Sequence, residues 1–175
     1  MRKLRGAWVV LVGAEDTRAR FEQMLTQEVR SRLIGGTTVE AHADEMQLLA
    51  AVRPVLYAWH AEREAAILER WRQETSRNGR ATAGWEETLE AASEGRIDLL
   101  LAQEGAARPA YECPRCGRAH VTDGGCPTDG TAMESRADGL DLAVHKTLVN
   151  GGTVHVLRAC RDLDPVDGVA ALLRC

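Results

Sequence analysis

Three of the chain's five cysteines, Cys113, Cys116 and Cys126, fall within 14 residues and sit in a frame that repeats. Cys113-Pro114-Arg115-Cys116-Gly117 has the spacing of half a zinc ribbon. Two thiolates two residues apart grip one tetrahedral ion from a tight turn, and the trailing glycine permits the φ > 0 geometry that turns backbone N–H groups toward the sulfurs. Cys126-Pro127-Thr128-Asp129-Gly130 repeats the frame, with Asp129 where a second thiolate is expected. A carboxylate ligates zinc but is harder than thiolate and weakens selectivity for that metal. His120, four residues past Cys116, competes for the fourth place. A closed four-ligand site leaves no position for a substrate water, so the expected zinc is structural. The bland alternative is a decayed ribbon whose thiols are buried as small apolar groups. Cys160 and Cys175 stand alone and read as bystanders. The odd count and the Cys-x-x-Cys spacing, without an expected secretory leader, favour a reducing compartment and a metal over a disulfide framework.

Other residues carry weaker chemical signals. His60-Ala61-Glu62 upstream of Cys113 and Cys116 resembles the His-x-Glu and Pro-Cys-x-x-Cys set of zinc deaminases, and a hydrolase or deaminase using them is one alternative function. The match fails where proline follows the first cysteine and where a second knuckle already supplies partners. A further alternative is a dithiol redox module on Cys113 and Cys116. His155, between Val154 and Val156, reads as a strand histidine rather than a ligand. Gly35-Gly36 and Gly151-Gly152 belong to no phosphate-binding pattern and read as turns. No Ser-His-Asp order with a nucleophile elbow is present. Trp8, Phe21, Tyr57, Trp59, Trp71 and Trp85 read as core or helix-seam residues.

The elements that must position these groups follow from periodicity. Ala7 to Gly13 reads as a buried strand, and Phe21, Met24, Leu25 and Val29 share one face of a short helix. Thr37 to Ala41 alternates as a second strand. From Asp44, an N-cap, a helix of about 30 residues carries Leu49, Val52, Leu56, Trp59, Ala66, Ile67 and Trp71 on one face, with Glu62, Arg63, Glu64, Glu69 and Arg70 opposite. Pro54 inside it predicts a kink or break. Ser76 to Gly79 reads as a turn, residues 83–94 as a helix stopped by Gly95, and Ile97 to Ala102 as a strand. The cysteine segment runs from about 111 to 133. A helix over 138–149, a strand over Thr153 to Leu157 and a short closing helix over Val169 to Leu173 complete the chain. Alternation of helix and strand from residue 83 predicts a layered α/β domain with a partly parallel sheet.

Composition bounds the function. In 175 residues there are 22 basic and 26 acidic side chains, net -4, with pI near 5.8. That balance excludes nucleic-acid binding by bulk electrostatics, leaving only local RNA contacts. No apolar run reaches the ~18 to 20 residues that cross a bilayer. Residues 1–42 carry seven basic and five acidic side chains, whereas 43–175 carry 15 and 21.

The ordered run from Ala83-Gly84-Trp85-Glu86-Glu87 through Ile97-Asp98-Leu99-Leu100-Leu101 resembles the opening of the third domain of class-one archaeal and eukaryotic peptide chain release factors and of Pelota. The cysteine knuckles, the helix 138–149, the strand at Gly152 to Leu157 and the ending Asp167-Gly168-Val169-Ala170-Ala171-Leu172-Leu173-Arg174 resemble the same family. The last is similar to the family's Gly-Gly-Ile-Ala-Ala-Leu-Leu-Arg ending, with Asp167 for the first glycine and Cys175 for the final tyrosine. The likeness is strongest to the bacterial branch of this superfamily, which includes Balon-type hibernation factors.

The resemblance implies a three-layer α-β-α sandwich akin to kink-turn-binding ribosomal proteins, with a small zinc-ribbon-like insertion. It implies that residues 1–42 are the end of a middle domain and 43–175 the C-terminal domain. It further implies a cytoplasmic, non-enzymatic module that contacts the ribosome near the stalk base and a translational GTPase, with no small-molecule substrate. The family's Gly-Gly-Gln hydrolysis motif has no counterpart, since Thr37 follows Gly35-Gly36. Nor has its codon-reading first domain. The chain alone is therefore expected not to terminate translation.

Overall fold

The computed structural model describes residues 7–77, 79–158 and 160–174. The basic start, Asn78 of the expected turn, and Cys175 lie outside the described residues. The chain forms two compact units, Met1–Arg63 and Glu64–Cys175.

The first unit contains strand β1 (Val9–Val12), helices α1 (Glu15–Met24) and α2 (Gln27–Arg30), strand β2 (Leu33–Thr37) and the start of helix α3 (Glu45–Ser76). β1 and β2 pair in parallel, Val10 with Gly35 and Val12 with Thr37. Two sequence expectations change here. The second strand lies over 33–37 rather than 37–41, and Gly35-Gly36 is inside it rather than in a turn. A β-carbon at Gly36 would stand 2.0 Å from an Arg18 guanidinium nitrogen, so the bare backbone admits that side chain. The single short helix is two, because the chain turns extended at Leu25 and Thr26 and the Thr26 hydroxyl caps α2. No described residue of this unit is buried. Phe21, Tyr57 and Met24 are exposed, and Trp8 is half-exposed, contrary to a core role. Trp8 instead meets Trp59 at 4.8 Å between centroids, with the Arg63 guanidinium 4.9 Å from the Trp59 ring.

Asp44 and Gln47 cap α3 reciprocally, each side chain bonding the other's backbone N–H. The helix runs unbroken through Pro54. Within the first unit Trp59 packs on Trp8 and Val55 lies against Gly35.

The second unit is layered around a four-stranded sheet. Its elements are β3 (Ala81–Ala83), α4 (Trp85–Ser93), β4 (Ile97–Gln103), β5 (Ala110–Glu112), β6 (Ala119–His120), β7 (Glu134–Arg136), α5 (Gly139–Val149), β8 (Thr153–Leu157) and β9 (Val169–Leu173). The sheet order is β3-β9-β4-β8, with β4 and β8 parallel and β9 antiparallel to both its neighbours. On one face, Leu100, Val169 and Ala171 pack with Trp85, Leu89 and Ala92 of α4 and Ala143 of α5. On the other, Leu101, Ala170 and Leu172 pack with Leu68 and Trp71 of α3. This alternation of neighbouring side chains between two covered faces makes the three layers.

The closing segment is therefore a central strand, not a helix. A run of five apolar residues has no helical period to show, and both of its faces are buried. Short β3 was not expected at all. Glu64, assigned to the solvated face of α3, is 2% exposed: one carboxylate oxygen accepts the Arg158 N–H at 3.0 Å and the other lies 3.5 Å from Cys160 Sγ. Burial comes first among the causes that push the Cys160 thiol up to about 11.

Candidate metal centre

Between β4 and α5 the chain leaves the sheet to form a separate three-stranded sheet, order β6-β5-β7, with its own small core of Cys113, Cys126, Met133 and half-buried Tyr111. The two cysteine frames fold alike. In the first knuckle Gly117 N–H bonds Cys113 O at 2.8 Å and Cys113 N–H bonds Arg118 O at 2.9 Å. In the second, Gly130 N–H bonds Cys126 O and Cys126 N–H bonds Thr131 O, both at 2.8 Å. Gly117 and Gly130 have φ of 73° and 72°, the left-handed turn that a side chain disfavours.

These turns bring Cys113, Cys116, Cys126 and Asp129 together, with one ligand atom from each lying within 4.8 Å of all the others. Cys116 Sγ and Cys126 Sγ are 3.5 Å apart, and Cys113 Sγ is 3.7 Å from Asp129 Oδ1. A tetrahedral ion with sulfur at about 2.3 Å and oxygen at about 2.0 Å spaces its ligands by about 3.8 Å (S to S) and 3.5 Å (S to O). The donor set thus fits a four-coordinate ion with little movement. The Thr131 backbone N–H holds the Asp129 carboxyl below its usual range. Burial opposes ionisation of Cys126, but the N–H groups of Thr128 and Asp129 outweigh it and lower the thiol's pKa. At Cys116 the Arg118 N–H favours the thiolate, yet the neighbouring Cys126 and Cys113 leave its pKa raised.

His120 sits in β6 and its Nδ1 faces the Thr122 hydroxyl at 2.8 Å, so the four gathered ligands do not include it. His60 and Glu62 are exposed positions of α3 in the other unit, where the His60 ring meets Trp59. The gathered set does not include them either.

The inner knuckle is fastened to the layered body. Arg118 meets Glu90 and Glu94 of α4 at 3.4 and 3.3 Å, and the Ala119 N–H bonds the Ser93 hydroxyl at 2.8 Å. From α5, Lys146 Nζ reaches Glu112 at 2.8 Å and Gly117 O at 2.5 Å. Among the described residues no hydrogen bond or ion pair ties 122–131 to α4 or α5. These fastenings were missed in the sequence, since each joins residues about 24 to 34 positions apart and no local spacing marks them.

The layered unit has the fold of the C-terminal domains of release factor 1 and Pelota. In sequence the chain is similar to peptide chain release factor subunit 1 of Archaeoglobus fulgidus, 28% identical over 117 residues, which are 63% of this chain and 28% of that relative. The chain therefore matches little more than a quarter of the relative's length. Among solved structures, the C-terminal domain of the Methanosarcina mazei release factor has a TM-score of 0.51 at 20% identity, covering 77% of this chain and 97% of that one. S. cerevisiae Dom34, a translation termination-like factor interacting with Hbs1, gives 0.60 at 12% identity over 95% and 46%. Ribosome-bound archaeal Pelota, in a structure with ABCE1, gives 0.61 at 15% over 95% and 43%. No protein-family model matches the chain.

Proposed function

We propose that this chain is a non-catalytic module of a bacterial release-factor-like protein, binding the ribosome or a translation factor in the cytoplasm during termination, rescue or hibernation. The observation that carries the reading is the 117-residue similarity to a release factor in a chain with the fold of that family's C-terminal domain. The partners are the ribosome, near its stalk base, and a translational GTPase; the relatives described as ribosome-bound or as interacting with Hbs1 support the ribosome and the GTPase as partners. An acidic second unit, with 13 basic and 18 acidic side chains over residues 64–175, suits protein contacts better than bulk RNA contacts. Residues 1–42 are the end of a middle domain and 43–175 the C-terminal domain.

Cys113, Cys116, Cys126 and Asp129 hold a structural zinc that joins the two knuckles, with His120 the alternative fourth ligand. Elemental analysis should find one zinc per chain, lost in Cys126→Ser, and comparison of Asp129→Asn with His120→Asn assigns the fourth ligand. The functional reading is tested by pelleting the chain with 70S ribosomes, with and without translational GTPases. Co-sedimentation is expected, and its absence under both conditions overturns the proposal.

A further inference from the structure

A second site lies at the carboxyl end of β4, away from the cysteines. Here the loop 104–108 and the loop 161–168 enclose a cleft of about 450 Å³. Gln103, the last residue of β4, lines it and is 5% exposed. Its amide N–H group bonds the Asp164 carboxylate, which fixes the amide's orientation and leaves Oε1 as a buried acceptor with no hydrogen-bond partner. Buried polar atoms are nearly always paired, so an orphan at a cleft calls for a donor. The remaining charge in the lining selects the kind of donor. Glu104, Asp164 and Asp167 oppose Arg108 and Arg161, and Arg108 is already 3.5 Å from Asp167. An anion entering there would meet three carboxylates. Trp85 lines the same cleft, its indole N–H bonding the Asp167 carbonyl at 3.0 Å and holding that residue at φ 55°, the one left-handed non-glycine among the described residues. The charged side chains of the lining are exposed.

We infer that this cleft is a binding site for the cationic side chain of a protein partner, an arginine above all. A guanidinium offers a planar fork of N–H donors that serves an amide oxygen and a carboxylate together. The site is independent of the ribosome-binding reading, since it rests on Gln103 and its neighbours alone.

The test is an NMR titration of the full chain with N-acetyl-arginine amide, followed at the Gln103 side-chain amide and the Trp85 indole N–H. Saturable shifts are expected with a Kd on the order of a few mM, as suits one side chain's contacts. Gln103→Leu and the surface change Asp164→Asn should each weaken binding at least tenfold; the second keeps the test valid if the first does not fold. Failure to saturate by about 50 mM overturns the inference. So does undiminished binding in Asp164→Asn, or tighter binding of inorganic phosphate or adenosine monophosphate, which would make the cleft an anion or nucleotide site.

Discussion

If the proposed zinc joins the knuckles, substituting Cys126 by serine, or adding a chelator, should melt the outer knuckle and spare the layered domain. Ordering residues 122–133 costs about 12–18 kcal/mol at roughly 1–1.5 kcal/mol per residue. Burial of Met133 and Cys126, 9% and 3% exposed, returns about 3–4 kcal/mol. Six hydrogen bonds, from the N–H groups of Thr122, Gly124, Cys126, Gly130, Thr131 and Met133, return about 1 kcal/mol each. The shortfall of about 2–9 kcal/mol is within what a structural zinc supplies, about 10–16 kcal/mol in small peptides. The inner knuckle differs because Arg118, Lys146 and Ser93 hold it to α4 and α5. Hydrogen exchange should therefore show amides 122–133 losing protection on chelation while those of β4 and β9 keep theirs. Protection of 122–133 that is indifferent to chelator would refute the reasoning, as would simultaneous loss across the sheet.

Three further outcomes follow from the packing. Gly152→Ala should destabilise the chain by about 2–3 kcal/mol in urea unfolding, because the added carbon would lie 2.7 Å from the Ile97 carbonyl oxygen and 2.7 Å from Thr147 Cγ2. At Glu112 burial opposes ionisation, but Lys146 and then Arg136 outweigh it and depress its pKa. A depressed carboxyl pKa contributes stability above its unfolded value and loses it as pH falls through the folded one. The stability gap between wild type and Lys146→Met, about 1–2 kcal/mol near neutrality, should thus shrink below about pH 4.5. Cys160, with its thiol at about 11, should react with iodoacetamide at pH 8 at least tenfold more slowly in the folded chain than in the urea-unfolded one, read by mass spectrometry.

Legibility in the sequence followed the range of the interactions involved. Helix α4 was visible because Gly95 stops it locally, and strand β4 because apolar residues dominate Ile97 to Ala102. The knuckle frame was visible for the same reason: its two turns are made by residues four and five apart. β9 was misread because its strand character comes from β3 and β4, which flank it only in the folded sheet. Glu64 was misread because its partners lie 94 and 96 residues downstream, and a charged residue at that spacing looks solvated until the loop after β8 closes on it. Pro54 left α3 unbroken, so local propensity yielded to the rest of the helix. The Gln103 cleft left no sequence signal, since it exists only where the ends of distant segments meet.

The proposed function requires that this domain recognise a ribosome through a specific surface. Equilibrium sedimentation of the full chain with 70S ribosomes, titrated to saturation at 50 mM and then at about 200 mM monovalent salt, tests it most directly. Saturation at one copy per ribosome is expected, with most of the affinity kept at the higher salt, because an acidic domain gains little from phosphate neutralisation. Binding that never saturates, or that disappears at the higher salt, would contradict it.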